Sequence, residues 1–216
     1  MRRIADLAVS PLSYITQSQL LLLFIKGMLV DDGKTWFSVN KKGQHRELVS
    51  ASTCFSTSST FSPPKTLGSR FQHMLRYVST QDLKPTVMTR FLSPNVTYVI
   101  NLVYDCEYPH HNSLRIPFKY KLKEMREYST TCVAHVGEGG WRRTELFQFT
   151  STKREHYFDI QLSSEIKSSA SNSFTISIEG VEFCPVDFEE KDENKVDHCN
   201  QQTLIGGKDC HMITPT

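Results

Sequence analysis

The sequence predicts an all-β fold: a jelly-roll-like antiparallel β-sandwich with a short N-terminal helix and a disordered C-terminal tail. Three observations carry this. From Asp31 onward the chain breaks into short apolar or alternating runs separated by Gly, Pro, Asn and Ser, the pattern of sandwiches and barrels. Helical periodicity is confined to one stretch near the start. After Asp187 the sequence becomes FEEKDENKVDHCNQQ, with too few apolar side chains to offset the entropy of ordering it. The expected division is an extension with its helix over 1–33, a sandwich over 34–187 and a tail over 188–216.

The helix is expected over about 17–26. Thr16 with Gln19 three residues on has capping-box spacing, and Lys26 and Gly27 supply a cationic last turn and a stop. Leu20, Leu23 and Phe24 share a face at the helical period. The apolar run Leu20 to Ile25 is six residues, against about twenty for a membrane span. The polar TQSQ before it departs from a secretory leader despite Arg2 and Arg3. The expectation is therefore a cytoplasmic or nuclear protein without membrane insertion.

Beyond the helix, KTWFSVN (Lys34 to Asn40) reads as a strand that turns at Lys41, Lys42 and Gly43 and pairs with His45 to Ala51. Ser56 to Ser69, rich in Ser, Thr and Pro, reads as a surface loop. FLSPNVTYVINLVY (Phe91 to Tyr104) has two faces of mixed apolar character, as expected of a central strand. In Phe118 to Lys123, Phe118, Tyr120 and Leu122 alternate with Lys119, Lys121 and Lys123. Such a basic stripe could contact phosphate, or could protect a sheet edge from pairing; the second reading is preferred. In GGWRRTELFQFT, Gly139 and Gly140 permit positive φ, and Trp141 stands where the turn enters a strand. Its ring is either a core pillar or a platform for a ligand ring. Phe158, Ile160 and Leu162 alternate with Tyr157, Asp159 and Gln161 as a half-buried strand. Ile176 and Ile178 occupy even positions whereas Val181 and Phe183 occupy odd ones, so a β-bulge is expected at Gly180.

Composition bounds the function. With 216 residues, 38% hydrophobic, the chain can bury one good core. A formal net charge of +2 is too near balance to indicate a nucleic-acid partner. Six cysteines at irregular spacing do not form a secreted disulfide framework and are expected as reduced thiols. His110 and His111 lie side by side, a poor spacing for one metal, and His198, Cys199, Cys210 and His211 match no common zinc module. No metal or cofactor is expected. The sequon at Asn95 to Thr97 reads more simply as the start of a strand. Nucleophile-elbow, zinc-protease, phosphate-loop and dinucleotide motifs are absent, so the expectation is a protein that is not an enzyme.

Four blocks in order, KTWFSVNKKGQHRELVSASTC, RFLSPNVTYVINLVYD, GGWRRTELFQFTS and SIEGVEFCPVD, resemble the phloem protein 2 family of plants, lectin-like proteins that include the tobacco jasmonate-induced lectin. The resemblance covers roughly residues 11 to 187. SPLSYITQSQLLLLFIKGMLVDDGKTWFSVNKKG and ELFQFTS are similar to the branch found with protein kinase domains, although no kinase motif and no F-box segment occurs here. The resemblance implies a jelly-roll-like sandwich that binds N-acetylglucosamine oligomers or glycans carrying them, in a defence or stress setting. Such sites set an aromatic face against the sugar and hold its hydroxyls with carboxylates or amides. The candidate contacts are Trp141, Glu138, Phe55 and Phe61. The chain departs from the lectin members in two places. Where they carry tryptophans after the strand matched by ELVSAS it has CFSTSSTFS, and Gln148 stands at an expected acidic position, with Glu145 three residues earlier. Two functions are therefore expected in competition: a carbohydrate-binding domain for glycans or glycoproteins, and an accessory domain that keeps the fold but binds a protein partner.

Overall fold

The structure is a computed structural model whose described residues are 2–55, 61–63, 68–78, 82–106, 116–131, 134–136, 140–164 and 175–186. In chain order they form helices α1 (Arg2–Ala5) and α2 (Gln17–Lys26), strands β1 (Met28–Val30), β2 (Thr35–Val39) and β3 (His45–Ser50), and helix α3 (Ala51–Cys54). Strands β4 (Phe61–Ser62), β5 (Met74–Val78), β6 (Thr86–Thr89), β7 (Thr97–Cys106) and β8 (Phe118–Leu122) follow. The last are β9 (Ser129–Thr131), β10 (Ala134–Val136), β11 (Arg142–Thr150), β12 (His156–Ser164) and β13 (Thr175–Pro185). The expected tail over 188–216, the histidines His110 and His111, and most of the Ser56 to Ser69 loop lie outside the described residues.

The strands make an all-β antiparallel sandwich. The larger, nine-stranded sheet runs β1-β2-β3-β13-β7-β11-β10, with β5 beside β13 and β4 beside β5; the smaller runs β6-β12-β8-β9. The long strand β13 carries β7 along one edge and divides the other between β3, from Gly180 to Phe183, and β5, from Thr175 to Ile178. The core fills the space between the sheets. Tyr98, Ile100, Leu102 and Tyr104 of β7 meet Val87 of β6, Phe118 of β8, and Ile160 and Leu162 of β12, all buried. Burial on this scale contributes about 1.5–3 kcal/mol for each such side chain.

The helix obeys its local signals. Thr16 Oγ1 accepts the Gln19 backbone N–H at 3.2 Å, while Gln19 Oε1 accepts the Thr16 N–H at 3.1 Å, and the Gly27 N–H closes the other end on Leu23 and Phe24. Leu20 and Phe24 are buried and Leu23 half-buried. The Phe24 ring meets Phe37 of β2 edge-on at 5.6 Å, so α2 closes a second apolar cluster with Val30, Val39 and Phe91. β1 extends the large sheet ahead of the expected boundary at 34.

The β2–β3 hairpin matches the expectation, with Thr35 opposite Val49 and Val39 opposite His45. β7 is central, but it starts at Thr97 rather than Phe91. Asn95 has φ 59, so the chain turns before extending. Residues 61 and 62, expected in a loop, pair as β4 with β5. β8 lies between β12 and β9, which removes edge protection as the reason for its lysines. The bulge is where parity placed it, with the register shifting between Ile178 and Gly180. A Cβ at Gly180 would stand 2.1 Å from the Val49 carbonyl oxygen, so only glycine lets β3 and β13 close. A second bulge, between Glu145 and Phe147 of β11, faces β7 from its other side.

Candidate functional site

The four residues expected to touch a ligand do not converge. Trp141 is 1% exposed and packs with Leu48, Phe71, Met74 and Val103 on the outward side of the large sheet. Phe55, 5% exposed, belongs to the core between the sheets, and half-buried Phe61 packs against that same core. Neither Trp141 nor Phe55 offers a ring face to a ligand, because each is enclosed by apolar neighbours. The expectation of sugar contact at these two rings is corrected accordingly. Glu138 lies outside the described residues. Gly140 takes φ +82 and delivers Trp141 into the cluster with Leu48, Phe71, Met74 and Val103, so the turn chemistry read from the diglycine builds a pillar. Gln148 is exposed and donates through Nε2 to Glu145 Oε1 at 2.9 Å.

Around Trp141 the large sheet carries a buried charge cluster. Glu182 of β13 accepts Arg46 Nη2 at 2.6 Å, Arg46 Nε at 3.0 Å and Asn101 Nδ2 at 3.2 Å, and Arg143 Nε lies 3.1 Å from its other oxygen. Burial pushes this carboxyl up, but Arg46 and Arg143 outweigh it and the net shift is downward. Glu179, the extra residue of the bulge, accepts the Arg70 backbone N–H at 2.7 Å and pairs with Arg70 Nη1 at 3.2 Å. Here desolvation wins and the carboxyl is raised. Trp36 caps the cluster, with the guanidinium carbons of Arg70 and Arg46 at 4.6 and 5.5 Å from its ring centre. Both carboxylates are fully engaged within the protein, so the cluster has the character of internal structure.

The outward face of the small sheet is different. β12 alternates, so burying Ile160 and Leu162 turns Tyr157, Asp159 and Gln161 outward. β8 does the same with Phe118 and Tyr120 inside and Lys119 and Lys121 outside. Antiparallel pairing then sets Gln161 opposite Lys121 and Asp159 opposite Thr86 of β6. Lys84, Pro85, Thr86, Lys123, Asp159, Ile160 and Gln161 line a shallow depression of about 280 Å³. On its flanks stand two exposed rings, Tyr157 at 63% and Tyr128 at 50%.

The polar groups of this face are held in place. Thr86 Oγ1 donates to Asp159 Oδ1 at 3.0 Å and Lys123 Nζ lies 3.5 Å from Oδ2. The Thr86 hydroxyl first, then the Tyr157 hydroxyl and Lys123, hold the Asp159 carboxyl below the ordinary carboxylate range. The Tyr128 hydroxyl donates to Gln161 Oε1 at 2.8 Å, and Lys121 Nζ sits 5.6 Å from the Tyr128 ring centre. An oriented carboxylate and amide between two aromatic faces can hold a polyhydroxylated ring on its polar edge and cover its apolar side. Among the described residues no group of three His, Cys, Asp or Glu could hold a metal ion. No helix among them is long and apolar enough to cross a membrane.

The sequence contained this face in pieces. Tyr157, Asp159 and Gln161 appear in it as the polar half of an alternation, and Lys119, Lys121 and Lys123 as a basic stripe. That these two strands are neighbours depends on long-range pairing, which alternation does not encode.

No family model and no curated protein matches the chain. Among solved structures, the mosquito-larvicidal Cry4Aa toxin of Bacillus thuringiensis is similar over 62% of this chain at 12% identity and a TM-score of 0.39. The chain spans about 22% of that toxin chain, and a likeness of this degree carries no argument about fold or function.

Proposed function

We propose that this protein is a non-catalytic, lectin-like carbohydrate-binding domain whose ligand lies across the outward face of the small sheet. The observation that carries the reading is the pair of exposed rings, Tyr157 and Tyr128, flanking a depression whose Asp159 and Gln161 are already oriented by hydrogen bonds. The resemblance to the phloem protein 2 family supplies the first ligand to try, an N-acetylglucosamine oligomer. Calorimetric titration of the purified chain is expected to show binding, with Tyr157→Ala weakening it by about tenfold, or roughly 1.4 kcal/mol, through loss of one stacking face. An array of glycans with no signal above background would sink the reading.

A second reading, that of an accessory domain binding a protein, is favoured by the enclosure of Trp141 and Phe55 and by the exposed apolar residues Leu21, Leu22 and Ile25 on α2. Affinity capture in the presence of excess free sugar separates the two. A stoichiometric protein partner retained under those conditions supports the second, and release of bound glycoproteins by the sugar supports the first.

A further inference from the structure

Resting on the carbohydrate reading, the charged donors on this face narrow the class of glycan. Among the described residues Asp159 is the one acidic side chain lining the depression, and it is already served by Thr86, Tyr157 and Lys123. Gln161 commits its carbonyl oxygen to the Tyr128 hydroxyl, which leaves the two donors of its amide nitrogen. Lys84 lines the same depression, is exposed, and has no hydrogen bond or ion pair among the described residues. What faces a ligand therefore includes an ammonium and two amide donors without partners, beside the hydroxyl oxygens of Thr86, Tyr128 and Tyr157, whose protons are committed and whose lone pairs remain to accept.

Neutral sugar hydroxyls can use these donors and acceptors alike, but carry no charge for an ammonium to pair with. Carboxylates and sulfates only accept, and they gain charge-assisted hydrogen bonds from ammonium groups. The net charge agrees. Lys84, Lys119, Lys121 and Lys123 stand on this face against Asp159 and Asp82, the latter turned outward beside buried Leu83, and the exposed turn after β8, with Glu124, Arg126 and Glu127, returns one further charge, so the balance stays positive. We propose that the outward face of the small sheet selects acidic glycans, chains bearing uronate carboxylates or sulfates, over neutral oligomers of the same length.

A phosphodiester chain carries the same sign of charge, but a formal net charge of +2 over the whole chain is too near balance to indicate a nucleic-acid partner.

The test titrates the full chain by calorimetry with an oligogalacturonate, an N-acetylglucosamine oligomer of matched length and a single-stranded oligonucleotide, at low and physiological salt. The acidic oligomer is expected to bind at least about tenfold tighter than the neutral one at low salt, with the advantage shrinking as salt rises. Lys84→Glu should weaken the acidic oligomer by at least about fivefold more than it weakens the neutral one. Equal affinities for the two sugars would overturn the proposal and leave the carbohydrate reading standing. An oligonucleotide bound as tightly as the acidic sugar would also overturn it. Failure of both sugars to bind would remove the carbohydrate reading itself.

Discussion

Glu47 shows how one enclosed group sets a dependence on pH. Its side chain is fully buried, and its two oxygens accept the backbone N–H groups of Arg90 at 3.1 Å and Phe91 at 2.5 Å. Burial pushes its carboxyl up to about 8, against the partial relief given by those two amides. In the unfolded chain the same group titrates near the ordinary value of 4.5. The folded state therefore holds the proton more tightly, and this contribution to stability is complete below about pH 4.5 and is lost as pH rises toward 8. His45, hydrogen-bonded to the Phe91 carbonyl and lowered by burial, works in the opposite sense: its contribution disappears as pH falls below its ordinary 6.5. Comparison with Glu47→Gln isolates the carboxyl. The variant loses one of two acceptors and should be less stable by about 1–3 kcal/mol at low pH, with the deficit shrinking as pH rises. Urea denaturation of both proteins between pH 5 and 8 checks this, and parallel profiles would show that Glu47 does not titrate in that window.

At the scale of the element, β13 depends on one missing methyl. Because a Cβ at Gly180 would meet backbone and not a flexible side chain, β3 cannot yield without losing its ladder. Gly180→Ala is expected to cost at least about 3 kcal/mol, read as a fall in the urea midpoint at unchanged slope. A change below about 1 kcal/mol would mean that the strands relax apart cheaply. The elements whose signals are local were legible in the chain: the Thr16–Gln19 box, the turn at Lys41 to Gly43, and the parity break at Gly180. Elements decided by partners were not. Nothing in Phe61 and Ser62 announces a strand, since they are ordered by pairing with Leu75 and Met74. Likewise Phe91 to Val96 has strand-like composition, yet Pro94 and the positive φ of Asn95 hold it in a turn. α3 departs in the same way, as Ala51 leaves the predicted strand to begin a helical turn that carries Phe55 into the core.

For the whole molecule, the sandwich separates what stabilises it from what faces the candidate ligand. Trp141 lies on the far side of the large sheet, with the core and the small sheet between it and Tyr157. Trp141→Phe removes buried volume but also removes an indole N–H that has no hydrogen-bond partner among the described residues, so the net loss should be only about 1–2 kcal/mol. Sugar affinity is expected to stay within about twofold, checked by pairing thermal denaturation with the same titration. A large loss of affinity would restore the indole as a ligand platform. The candidate site was illegible for this architectural reason: its residues come from β6, β12 and the segments flanking β6, β8 and β9, brought together by pairings between distant parts of the chain.

The buried charges around Glu182 have one more consequence, and it concerns the structures this chain does not adopt. Sliding β13 past β7 by a single residue would exchange its two faces and carry Glu182 from Arg46 and Arg143 into the company of Tyr98 and Ile100. A carboxylate stranded there, with its arginines abandoned on the other side, carries a penalty of several kcal/mol. An all-apolar strand would forgive that error. The arginine–glutamate cluster thus works as a proofreader of strand pairing, rejecting misaligned sheets while the chain is still choosing among them.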